Sequence, residues 1–392
     1  MGFRTAGLPR WLVSVLAGVV LTQASLYLAR PVTSYRALAL GADPRAIGLI
    51  AAAFALVPLV VALPLGRAAD RWRPTHLLAG GIGLFAASCW LLGFAGSLAG
   101  LALGSAALGL GHLALTLAGQ SLIARRSDER LHDRDFGLYA AAASLGQLLG
   151  PALAGLVLTW EGGSMEGATT RGFLVAGALA IVALPTCRQL ETRWPRPGRG
   201  AGREHARPMR AGDLLRARGV PAGIFASLAI LGAVDVLTAY LPVLGERHGI
   251  GPGVVGALLS LRAATSMLSR LLIPWMVARW GRVRLLAASA AGAALLTAAL
   301  PVSGETAVLA VLLAAAGFLL GIGQPLTMSL VVRAVPDEVR GTALAIRLTG
   351  NRIGQAATPA AGGLVAGAAG VGAPFLLLGG LLVLAALVVA RR

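Results

Sequence analysis

Residues 137–155 read GLYAAAASLGQLLGPALAG, an apolar run of membrane-spanning length interrupted by glycines, a proline and one amide, Gln147. Gly146, Gly150 and Ala154 recur at every fourth position, so on a helix they form one strip of small residues where a neighbouring backbone can come close. Pro151 removes the amide that would bond to the carbonyl of Gln147, which predicts a bend at that point.

The rest of the chain has the same character. Of its 392 residues 57% are hydrophobic and 13% charged, and mean hydropathy is +0.78. That is too apolar for a soluble domain and reads as a polytopic membrane protein. The formal charge of +18 does not point to nucleic acid, because all 34 basic residues are arginines gathered in short segments between apolar runs. Cys89 and Cys187 lie in or at the end of such runs and form neither a disulfide framework nor a metal-type pair. Arg4 and Arg10 precede an apolar run from Trp11 that is too long for a secretory signal and lacks a small-residue cleavage site, so a retained first helix is expected.

A spanning helix needs about 20 mostly apolar residues. On that rule twelve segments are expected, near 11–39, 46–65, 76–96, 98–123, 136–158 and 172–188, then 221–244, 253–276, 285–302, 306–331, 341–367 and 373–390. Arginines cluster at 67–73, 125–134 and 279–284, while the intervening turns carry only Arg45, Arg171, Arg247 or none, which places both termini in the cytoplasm. The Arg-, Gly- and Pro-rich stretch 188–218 reads as a flexible linker. The expected organisation is a six-helix bundle at 1–188, a linker at 189–220 and a second bundle at 221–392. A shift of 208 residues places Gly41, Pro44 and Gly48 on Gly249, Pro252 and Gly256, and a shift of 204 places Gly137, Gly146 and Gly150 on Gly341, Gly350 and Gly354. Parallel repeats imply a two-fold axis along the membrane normal and a substrate site between the halves.

Strongly polar groups are costly in hydrocarbon, so they face a cavity or one another. Segments 3, 6, 9 and 12 carry no interior Gln, Asn, His, Asp or Arg and read as lipid-facing; segment 2 has none either and stays unplaced. The polar helices show helical spacing: Gln23, Tyr27, Arg30 and Ser34 in the first; His112, Thr116 and Gln120 in the fourth; Arg262, Ser266 and Ser269 in the eighth; Arg347, Asn351 and Gln355, with Arg352 alongside, in the eleventh. With Gln147 and Gln324 these give the substrate-binding candidates Gln23, Tyr27, Arg30, Thr116, Gln147, Arg262, Gln324, Arg347, Asn351, Arg352 and Gln355. Asp235 is the one carboxylate well inside a span. It reads either as a proton carrier or as a static partner of Arg262 or Arg352; His112 is the second proton candidate. The arginines outnumber the acid, which favours an anionic or carbonyl-rich substrate, although Arg347 could instead snorkel to the interface.

Gly137, Gly146, Gly150-Pro151 and Ala154-Gly155 resemble the fifth-helix motif of proton-coupled antiporters in the major facilitator superfamily, with Ala154 in place of its usual glycine. The resemblance implies a twelve-helix fold, export rather than import, and a conformational role for Gly146, Gly150, Pro151 and Gly155. Gly66, Asp70 and Arg71 resemble the family's cytoplasmic loop between helices 2 and 3, although Arg73, Pro74 and Thr75 depart from it. In the family that aspartate latches the halves, and the start of segment 11 after Pro336-Asp337-Glu338 is the corresponding helix end. The family's antiporters usually carry an arginine four residues before a Gly-x-Gly pair; before Gly109-Leu110-Gly111 this chain has Ser105, so any coupling falls to Asp235 or His112.

Gly109-x-Gly111-x-x-Ala114 mimics a dinucleotide fingerprint but follows no strand. No phosphate loop, nucleophile elbow or zinc-binding helix occurs, so an enzyme, a cofactor and a metal are not expected and transport should run on a gradient. The expected function is proton-coupled export of a small organic, preferentially anionic, molecule by a monomer in a bacterial-type inner membrane, its partners being substrate, protons and the lipid bilayer. The alternatives are uptake of an organic anion by proton symport and a non-transporting membrane sensor.

Overall fold

A computed structural model of the chain describes residues 8–71, 74–128, 131–160, 163–189, 216–217, 219–336 and 339–391, without the side chains at 63, 66–71, 133, 187–189 and 341. The linker expected at 189–220 therefore lies almost wholly outside the described residues. Long helices make up the rest: α1 (Arg10–Ala39), α2 (Pro44–Arg71), α3 (Pro74–Gly93), α4 (Leu98–Arg126), α5 (His132–Thr159), α6 (Met165–Ile181), α7 (Val220–Arg247), α8 (Pro252–Trp280), α9 (Arg282–Ala299), α10 (Thr306–Arg333), α11 (Arg340–Ala369) and α12 (Ala373–Ala390), with a short helix Leu184–Gln189 after α6.

One expectation needs correction. Helix α6 begins at Met165 rather than near 172, because the Ser164 hydroxyl accepts from the Gly167 amide and Glu166 sits in the first turn, where a carboxylate complements the helix end. All twelve expected segments form long helices, and among the described residues eleven of them are apolar enough throughout to be recognised as membrane spans by composition alone. The exception is α11, which has 30 residues but carries Arg347, Asn351, Arg352 and Gln355 in its middle.

The repeat is visible in the backbone. Gly41 and Gly249, 208 positions apart, both take positive φ, 75° and 69°, a conformation glycine adopts without steric penalty. Each closes its helix in the same way: the Ala42 amide donates to Ala37 O at 2.9 Å and the Ile250 amide to Gly245 O at 2.8 Å.

Within the first six helices α1 packs on α5 and α6, α4 on α2 and α3, and α3 on α6; within the last six α8 packs on α10, α7 on α11 and α12, and α9 on α10 and α12. The two groups meet chiefly where α2 lies on α11 and α5 on α8, with α1 touching α7. The packing of α3, α6, α9 and α12 is within their own six, as their lack of interior polar residues requires, and the unplaced second segment is an interface helix.

Glycines set the closest approaches. Gly146 and Gly150 of α5 lie on the α1 backbone, where an added Cβ would stand 2.8 Å from the Ala24 and Leu28 nitrogens. Gly155 instead meets α8, where a Cβ would come 3.0 Å from Gly253 O, and the buried Pro151 presents its carbonyl to Gly256. Gly137 packs on nothing within 4 Å. Between α2 and α11, a Cβ on Gly48 would stand 2.8 Å from Gly363 Cα. Beside it the fully buried Tyr240 of α7 donates to Pro44 O at 2.9 Å. These cross-group contacts draw the halves together near the face that carries the α1–α2 and α7–α8 turns. The opposite face carries the arginine-rich turns.

The sequence reading passed over Arg36. It is 3% exposed, donates to Ala95 O at 2.9 and 3.2 Å and to Glu166 O at 2.9 Å, and pairs with the Glu166 carboxylate at 3.1 Å. One guanidinium thereby satisfies carbonyls just beyond α3 and at the start of α6.

Candidate coupling and substrate site

The polar centre lies where α1 meets α7. Arg30 Nη1 donates to Asp235 Oδ1 at 2.5 Å, an ion pair joining the two helix groups. Asp235 is 1% exposed, and its second oxygen, Oδ2, has no partner among the described residues. The expected static partners, Arg262 or Arg352, are thus replaced by Arg30. The reason lies in how the groups face one another: α7 turns Asp235 toward α1, while Arg352 donates to its own helix neighbour Gln355 at 3.0 Å. Arg30 also lies over the Phe54 ring, 5.0 Å from its centroid, and Phe54 lies 5.9 Å from the His112 ring. A cation on an aromatic face gains about 0.5–2 kcal/mol, so α2 helps hold the guanidinium.

Two small cavities flank this line. One of about 20 Å³ is lined by Arg30, Ser34, Phe54, Ser105 and Thr238. The other, also about 20 Å³, is lined by Gln23, His112, Thr116 and Tyr139. Each has room for roughly one water. Both His112 nitrogens and Gln23 Oε1 lack partners among the described residues, whereas the Thr116 hydroxyl donates to His112 O at 2.9 Å. Tyr27, buried on α1, lies within electrostatic reach of Arg30, Asp235, Arg262 and Arg270.

The other candidates divide. Gln324, Arg347 and Asn351 belong to a network inside the second group: Arg347 Nη2 donates to Gln324 Oε1 at 2.7 Å and to Thr327 at 3.2 Å, Gln324 donates to Ser227 O at 3.0 Å, and the Ser227 hydroxyl donates to Asn351 at 2.7 Å. Arg347 is 5% exposed and does not snorkel. The face read as Arg262, Ser266 and Ser269 lies against α10 as a unit, with the Arg262 backbone on Gly317 and Ser266 and Ser269 on Gly321. Arg262 is 3% exposed, and its Nε has no partner among the described residues. The sequence reading missed Arg270, which donates to Ser144 of α5 at 2.6 Å across the groups. Its spacing of eight from Arg262 places both on one helix face and was the available signal. Gln147, Arg352 and Gln355 are half-buried. Gly66, Asp70 and Arg71 end α2 with side chains outside the described residues, as are residues 72–73 and 337–338, so the latch expected there is not described.

The fold and this buried polar centre define a polytopic membrane carrier. The family model of the Major Facilitator Superfamily matches residues 15–306 and 223–392, and the chain belongs to that family, a transporter rather than an enzyme. No curated protein sequence matches it. Among solved structures it is similar to the nucleoside transporter NupG (TM-score 0.78, 16% identity, covering 97% of this chain and 98% of that one). It is also similar to a D-xylose-proton symporter (TM-score 0.76, 17% identity, 97% and 96%). A third is a bacterial homolog of the human lysosomal transporter Spinster in an inward-facing, unoccupied conformation (TM-score 0.75, 15% identity, 98% and 96%). At these identities the likeness is one of fold.

Proposed function

We propose that the protein is a proton-coupled exporter of a small organic molecule, working by alternating access, with Asp235 and Arg30 as its coupling pair. The observation that carries this reading is the buried ion pair between α1 and α7. Opening the face now drawn together by Gly48, Gly363 and Tyr240 requires those helices to part. Breaking a buried pair strands two charges at roughly 3–5 kcal/mol. A proton on Asp235 removes one charge and lowers that barrier. A substrate that inserts its own donor at Asp235 and its own acceptor at Arg30 does the same. Because both use Asp235 they exclude one another, which is antiport, and the α5 strip resembling the antiporter motif supports export.

Ser105 fits this scheme. It stands where the antiporter pattern has arginine and lines the same cavity as Arg30, so α1 supplies the guanidinium that α4 lacks. A second reading rests on the unbalanced Arg262 and Arg270: an anion that takes only arginines leaves Asp235 free to be protonated at the same time, which is symport. The charge of the turns supports cytoplasmic termini and an inner-membrane location, and the packing of the helices among themselves supports two six-helix bundles.

A ligand found by thermal shift provides the test. Everted vesicles should accumulate it when their lumen is acid; accumulation only in right-side-out vesicles with acid outside establishes symport instead. Asp235→Asn should abolish gradient-driven transport while leaving exchange at fixed pH, and undiminished gradient-driven transport in that variant removes Asp235 from the mechanism.

A further inference from the structure

We infer that the cleft between α8, α9 and α10 on the arginine-rich face binds one anionic phospholipid. Helices α8 and α9 diverge from their turn at Gly281 while α10 packs on both, leaving a cavity of about 640 Å³. Its walls are mainly apolar, from Ile273, Pro274 and Val277 on α8 and Pro325 and Leu326 on α10, and Arg282 lines its mouth. Pro274 and Pro325 lie inside their helices, where each removes a backbone hydrogen bond and favours a bend that keeps the walls apart. A volume of this size exceeds what a bare phosphate fills, and apart from Arg282 at the mouth only Ser329 among its lining residues carries a polar side chain.

The mouth has the chemistry of a headgroup site. Arg279, Arg282 and Arg284 lie within six residues, and no carboxylate occurs between Glu246 and Glu305. No ion pair to these arginines is found among the described residues. Arg282 opens α9, whose first turn contains no acid and whose Gly281 offers no side-chain cap, so free amides add their positive end to the same point. Trp275 and Trp280, 63% and 48% exposed, pack edge to face at 5.5 Å beside it, as aromatic side chains do at headgroup depth. Basic pockets between membrane helices hold anionic headgroups. The acyl chain fits the apolar cleft, and the phosphate meets Arg282 and the α9 amides.

Native mass spectrometry of the full chain released from nanodiscs of equal phosphatidylglycerol and phosphatidylcholine tests this. One phosphatidylglycerol should be retained in preference. Arg282→Ala should weaken retention about fivefold, the effect of one arginine near a charged headgroup, and Arg282→Lys should restore most of it. Ser329→Trp, which fills the cleft without altering charge, should abolish it; if that variant does not fold, Ala278→Leu serves. Equal retention of both lipids, or a preference that survives both the charge and the filling variants, overturns the proposal. Displacement of the lipid by millimolar inorganic phosphate reassigns the site to a free anion and overturns it as well.

Discussion

Replacing Gly48 by alanine places a methyl group where α2 and α11 touch. The new Cβ would stand 2.8 Å from Gly363 Cα and 2.5 Å from the Tyr240 hydroxyl, where ordinary contact begins at 3.4 Å. Backbone cannot yield as a flexible side chain can, so the helices must separate. Overpacking of this kind costs about 1–3 kcal/mol, and losing the hydrogen bond from Tyr240 to Pro44 adds roughly 1 kcal/mol. Only the closed arrangement bears this penalty of about 2–4 kcal/mol, so the equilibrium should move away from it by roughly 30- to 900-fold. Spin labels at the exposed positions Ala99 and Ala307, which begin α4 and α10, read the separation of that face by electron–electron double resonance. The variant should gain a longer-distance population, whereas Gly80→Ala, whose Cβ would meet nothing within 4 Å, should not. An unchanged distance distribution in folded Gly48→Ala refutes the reasoning that this seam gates the carrier.

Other perturbations separate architecture from function. Arg36→Ala strips charge-assisted hydrogen bonds from two helix ends and should lower stability by about 1–3 kcal/mol, read as a fall in Tm; no change in Tm sinks that role. Arg347→Met should lower Tm with little effect on KM, since its donors serve Gln324 and Thr327; a large rise in KM at unchanged Tm puts it in the substrate site. Arg262→Ala should weaken an anionic ligand by roughly tenfold or more, the worth of a charged hydrogen bond, and a neutral analogue far less; calorimetry that finds equal losses removes the anion preference.

Most of the fold was legible because hydropathy and glycine spacing are local. Helix α12 was expected at 373–390 and runs Ala373–Ala390. The start of α6 was missed because its first residues are polar and lower the local hydropathy, and the groups that satisfy them, Ser164 on the Gly167 amide, Arg36 on Glu166 O and Gly93 O on the Thr170 hydroxyl, come from the cap and from other helices. The buried polar groups were legible as interior residues, but their pairing was not. Arg30 and Asp235 were both marked as interior groups, but which faces meet depends on how the two helix groups are rotated, and 205 residues separate the pair. Helical spacing likewise put Ser266 and Ser269 beside Arg262 without disclosing that α10 packs along all three.

The Arg30–Asp235 contact also bears on thrift. In the proposed scheme an empty, unprotonated carrier can change sides only by separating both charges inside the protein, and a barrier raised by about 3–5 kcal/mol slows that event by roughly two to four orders of magnitude. Under the proposed antiport, the bond that links the halves is an interlock against idle cycling, so that each stroke dissipating the gradient is tied to a passenger.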